Sequence, residues 1–138
     1  MHRVSNSIVI GLVGISAAVF ASGASGQQIG GNPDAKKVKN PAAATPASIA
    51  AGQQLYQKYC KFCHGDGAKG DGKMAPKDSH PSDLTDAKWD RGSTDGEVFL
   101  VLRDGAGPEL KMKGYKGRMS ETDMWNVINY LRSVGPKK

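Results

Sequence analysis

The stretch QKYCKFCHGDGAKGDGK, residues 57–73, holds both cysteines of a 138-residue chain, with a histidine directly after the second. Upstream, TPASIAAGQQLYQKYC (45–60) places Ile49, Gly52, Leu55, Tyr56 and Tyr59 on one helical stripe behind a Thr45 or Ser48 cap. Downstream, glycine, lysine and aspartate break any periodicity. The cysteine pair therefore sits where a helix ends and a loop begins. Gly52 costs a helix interior up to about 1 kcal/mol against alanine, and close approach by another backbone is the expected reason for it.

Three chemistries use such a pair. A redox dithiol follows a strand and opens a helix, the reverse of the context here. Structural zinc takes four ligands, and beyond His2 the available set is Cys60, Cys63, His64 and His80. Cys63 and His64 are adjacent and point in different directions, which suits one tetrahedral ion badly. Covalent haem uses everything present. Cys60 and Cys63 lie one helical turn apart and can reach the two vinyl groups of a single macrocycle, while His64 swings beneath the ring and offers its imidazole to iron. Cys-x-x-Cys-His is the attachment signature of c-type haem.

The remaining elements agree with a small helical domain. In TDGEVFLVLRDG (94–105), Thr94 and Glu97 form a capping box, Val98, Val101 and Leu102 give an apolar face, and Gly105 stops the helix. In SETDMWNVINYLRSVGP (120–136), Ser120 caps, Met124, Val127, Ile128 and Leu131 recur at helical spacing, and Gly135 with Pro136 terminates. Met119 and Met124 occupy the two staple positions around that cap. Residues 65–93 and 104–119 are long loops rich in glycine, proline and aspartate, with no strand-like alternation. Loops of that length need something to pack against. The expected fold is all-α, with about three main helices and long loops wrapped around one covalent haem.

The N-terminal residues are expected to lie outside that fold. Arg3, an apolar run over 8–20 and small residues up to Gly26 read as a signal peptide, 1–26. Residues 27–46, rich in glycine, proline, alanine and lysine, read as a flexible leader, and 47–138 as the folded domain. Export places the protein in the periplasm or outside the cell, where cysteines meet oxidising conditions. The net charge of +6 comes without a long basic block or any nucleic-acid motif, so nucleic acid is excluded as a partner.

The segments GQQLYQKYCKFCHGDGAKGDG (52–72), TDGEVFLVLRDG (94–105) and MKGYKGRMSETDMWNVINYLRS (112–133) resemble the small single-haem class I c-type cytochromes. The resemblance implies a cytochrome c-like fold whose first and last helices cross closely, with Gly52 and Tyr56 against Tyr130 and Leu131. It implies iron held by a histidine and a methionine sulfur, here His64 and Met112. Met112 lies in the loop before the last helix, where the family carries its ligand, although Lys113 follows it where the family commonly has proline. That difference implies a less rigid loop and a more labile iron–sulfur bond. Met119 and Met74 stay open as alternatives, Met119 with its staple role and Met74 as a lining residue. Pro76 stands where the family places a carbonyl that accepts from the iron-bound imidazole. Trp89, Tyr115 and Phe62 are candidates to wall the haem, and His80 is read as a plain loop residue.

The expected function is electron transfer without enzymatic activity of its own, since an iron bound on both faces has no open position for substrate. The leading expectation is a soluble monomeric carrier with no stable membrane insertion. Lys111, Lys113, Lys116 and Arg118, together with Lys69, Lys73 and Lys77, would steer redox partners with acidic docking faces onto the haem edge. The alternatives are a haem c subunit of a dehydrogenase or terminal oxidase complex, or a haem-based ligand binder.

Overall fold

The computed structural model describes residues 31–106 and 111–136. Four helices carry the fold: α1 (Pro46–Tyr59), the single turn α2 (Lys61–His64), α3 (Asp95–Asp104) and α4 (Glu121–Val134). Each long helix starts at an oxygen-bearing cap that takes an otherwise orphaned backbone N–H. Thr45 Oγ1 accepts from Ser48 N at 3.1 Å, Ser120 Oγ accepts from Asp123 N at 3.1 Å, and Thr94 with Glu97 closes the anticipated capping box. Gly105 ends α3 at φ 95°, a left-handed angle that favours glycine.

The first and last helices cross as expected. A methyl group at Gly52 would overlap the Asn126 carbonyl oxygen and lie 2.9 Å from Cβ of Tyr130. The glycine therefore lets α1 rest directly on the α4 backbone, with Asn126 and Tyr130 at the contact. Tyr56, fully buried one turn on, sets its ring 5.3 Å from that of Tyr130 and donates its hydroxyl to Gly65 O at 2.6 Å. Met124, Val127 and Ile128 fill the centre of the core, and Met119 is buried beside the α4 cap.

Two features differ from the sequence expectation. The first is a two-rung antiparallel ladder, β1 (Gly105–Ala106) with β2 (Met112–Lys113). Two residues per strand are too few to show alternation. The second is the leader. The expected signal peptide, 1–26, lies outside the described residues, but from Gly31 onward the segment expected to be flexible is packed. A 3-10 turn, Ala35–Lys37, sits on α3, where Gly96 leaves room for Val38 Cβ and the Ala35 carbonyl. Asn40 donates to Asn129 Oδ1 at 2.8 Å, and Asn129 in turn donates to Ala42 O at 3.1 Å and Ser48 Oγ at 2.8 Å. Lys36 Nζ stands 4.0 Å from Glu97 Oε1, a buried oxygen with no hydrogen-bond partner among the described residues. These anchors are asparagine side chains and backbone groups, which leave no apolar stripe in the sequence.

Asn40→Ala is expected to cost about 1–3 kcal/mol, because it leaves Asn129 Oδ1 unpaired beside a buried helix. Urea unfolding checks it. A midpoint equal to wild type would return residues 31–45 to the status of a tether.

Candidate cofactor site

The end of α1 and the turn α2 bring the motif together by local hydrogen bonding. Cys60 N–H bonds Tyr56 O at 2.8 Å, and Cys63 N–H and His64 N–H both return to Cys60 O, at 3.1 and 2.9 Å. Cys60, Cys63 and His64 thereby face one cavity of about 720 Å³, a size typical of small-molecule and cofactor sites. The loop that follows lies back on this turn: Gly70 N–H reaches His64 O, Gly72 N–H reaches Cys63 O, and Met74 N–H reaches Phe62 O. Val98, Val101 and Leu102 of α3, Val127 and Leu131 of α4, and Leu84 and Trp89 of the long loop supply apolar walls. The loops thus wrap a space that protein atoms do not fill.

His64 is buried, and its Nδ1 lies 3.1 Å from Ser82 O. Burial holds its pKa below the ordinary imidazole value, against an opposing pull from the Ser82 carbonyl. A neutral ring that donates Nδ1–H to this carbonyl keeps Nε2 as a lone-pair donor, the state a metal ligand requires. The Pro76 expectation is corrected here. The Pro76 carbonyl takes the backbone N–H of Ser79 at 2.9 Å and its hydroxyl at 2.6 Å, and the imidazole bonds Ser82 instead. Leu84 N–H bonded to Ala68 O at 2.7 Å fixes the chain next to Ser82. The acceptor is a main-chain oxygen, so no residue type in the sequence could mark it.

The buried Cys60 thiol does not have the character of a redox-cycling nucleophile. Burial first, and the neighbouring Cys63 second, push the Cys60 thiol up to about 12. Reactive dithiols have the opposite shift, towards a stable thiolate.

Among the described methionines, Met112 alone lines the cavity, from β2. Met119 and Met124 are buried in the core, and Met74, expected to line the site, is 69% exposed away from it. Phe62 is likewise outside, 44% exposed. Trp89 and Tyr115 do form wall, and His80 reaches the lining too, which its reading as a plain loop residue missed. Two cysteines, a neutral imidazole and a thioether around one apolar space fit a covalent haem with nitrogen and sulfur axial donors.

Comparison with known proteins identifies a cytochrome c-type domain. The family model for cytochrome c oxidase, cbb3-type, subunit III matches residues 47–131. The cbb3-type cytochrome c oxidase subunit FixPc of Rhizobium leguminosarum bv. viciae is 30% identical over 90 residues, 65% of this chain and 29% of that one. Subunit CcoP of Rhodobacter capsulatus is 31% identical over 97 residues, 67% of this chain and 31% of that one. The chain thus spans about three-tenths of the length of these relatives. A reducing HAO-like protein complex of Kuenenia stuttgartiensis superposes with a TM-score of 0.63 at 25% identity, over 72% of this chain and 50% of that one. Cytochrome cL of Methylophaga aminisulfidivorans shares the fold, with a TM-score of 0.53 at 22% identity over 65% of this chain and 57% of its own. One expectation is overturned. A free monomer that meets redox partners through acidic docking faces does not agree with relatives that are oxidase subunits, which work as parts of an assembly.

Proposed function

The chain belongs to the cbb3-type cytochrome c oxidase subunit III family and carries one covalent haem c, and from that premise we propose that it is the haem c electron-transfer part of an oxidase-type assembly. The observation that carries the proposal is the convergence of Cys60, Cys63, His64 and Met112 on one apolar cavity. When bound, the haem supplies reversible one-electron chemistry through its iron. Cys60 and Cys63 would hold it through their sulfurs, His64 and Met112 would offer nitrogen and sulfur to its iron, and the Ser82 carbonyl would fix the imidazole tautomer. The apolar walls from α3 and α4 would keep water off the ring, and a soft neutral sulfur from Met112 would favour the ferrous state. Electron transfer is this chain's share of the work, and oxygen chemistry belongs to other subunits of the assembly. No helix among the described residues is long and apolar enough to cross a membrane. With residues 1–26 acting as an export signal, the haem domain works in the periplasm.

Purification from the native source under mild conditions tests the assembly. The protein should co-purify with partner subunits in fixed ratio, and a protein isolated alone as a monomer would overturn the reading. The ligand assignment has its own test. Oxidised protein should show the weak far-red sulfur-to-iron absorption, and Met112→Ala should abolish it. Survival of the band in Met112→Ala together with its loss in Met119→Ala would transfer the ligand role to Met119.

A further inference from the structure

The segment that carries Met112 has no stiffness of its own. From Lys111 to Ser120 the sequence has glycines at 114 and 117 and no proline. Its position is therefore set by what it touches. Most of its anchors belong to the end of α3. β2 pairs with β1, Gly114 lies against the Arg103 carbonyl where no side chain fits, Tyr115 N–H bonds Leu102 O at 2.8 Å and Lys116 N–H bonds Arg103 O at 3.0 Å. These contacts place the segment on α3 but leave its distance from the cysteine wall undetermined.

A different contact spans that gap. The Tyr115 hydroxyl donates to Tyr59 O at 3.1 Å, and Tyr59 is the last residue of α1, directly before Cys60. The two tyrosine rings meet edge to face with centroids 5.7 Å apart, and the Arg118 guanidinium covers the Tyr115 ring at 5.3 Å. Tyr115 also lines the cavity itself. On the other flank, Lys111 Nζ donates to Asp78 O at 2.9 Å, but this is an exposed, flexible side chain.

We propose that the Tyr115 phenol is a strut between the Met112 segment and the cysteine wall, a positioning residue that keeps the Met112 sulfur on the iron. The inference rests on the reading of Met112 as the sixth ligand. With the hydroxyl removed, the segment can pivot on the β1–β2 ladder, and the sulfur leaves the iron for a larger share of the time. An external ligand then finds the position open, its apparent affinity rising with the fraction of open molecules.

The experiment uses the haem-loaded protein and carbon monoxide as the probe. Tyr115→Phe keeps the ring and removes the hydroxyl alone. Its reduced form should bind carbon monoxide at neutral pH at least about ten-fold more tightly than wild type, and its oxidised far-red band should weaken, at equal haem content per chain. Tyr130→Phe, a buried tyrosine outside the cavity, should change neither. Carbon monoxide affinity and band equal to wild type in Tyr115→Phe overturn the strut, as does an equal change in Tyr130→Phe. Met112→Ala separates the two readings. If it loses the band while Tyr115→Phe behaves as wild type, the strut alone is wrong. If it keeps the band, the ligand assignment is wrong and the strut falls with it.

Discussion

Replacing Cys60 and Cys63 together by alanine is expected to make the haem fully extractable by acid–acetone, whereas wild-type protein keeps essentially all of it through denaturation. Single replacements should keep one thioether and lower the yield of loaded protein. The double variant has a second consequence, because Val98, Leu102, Val127 and Leu131 all face the cavity of about 720 Å³. Without a held macrocycle those side chains border an open space, and a domain this small has little other apolar burial to offset it. The cooperative thermal transition of the loaded protein should broaden or vanish once the haem is extracted. Haem that leaves the wild-type protein on simple extraction would sink the covalent reading, whatever the spectrum shows.

The second large effect is expected at Gly52→Ala, where two physical terms oppose each other. Helix propensity favours alanine by about 1 kcal/mol. Packing acts the other way, since the new methyl overlaps the Asn126 carbonyl and presses on Tyr130. Forcing two backbones apart costs about 3 kcal/mol, so packing wins by about 2 kcal/mol. For a domain of this size that lowers the melting temperature by roughly 10 °C. Thermal unfolding of the loaded protein measures it directly. A melting temperature at or above wild type would mean that α1 and α4 do not meet through this glycine.

The readings that survived contact with the structure share one physical property: they concern neighbours in sequence. The motif Cys60, Cys63 and His64 is one turn of chain closed by its own backbone bonds. The caps at Thr45, Thr94 and Ser120 act across three residues. Gly52 is the exception that was still legible, because a glycine inside a helix is a cost that calls for a cause; Tyr130 was expected at the contact, and the Asn126 backbone was not. The free-carrier expectation failed for a related reason. A haem motif and a basic loop describe one chain, and membership of an assembly is written in surfaces that no short motif encodes.

By itself the sequence determined the chemistry of attachment and the three long helices, while its resemblance to class I c-type cytochromes implied the close crossing of the first and last. The tertiary structure alone decided which carbonyl orients His64, that residues 31–45 pack on the domain, and how the Met112 segment is held. In each case the reason is the same. Ser82 O, Asn40 with Asn129, the β1–β2 ladder and Tyr115 with Tyr59 join residues distant in sequence, mostly through backbone atoms common to every residue type. Such contacts have no compositional signature, and they exist only once the chain has closed around its cavity.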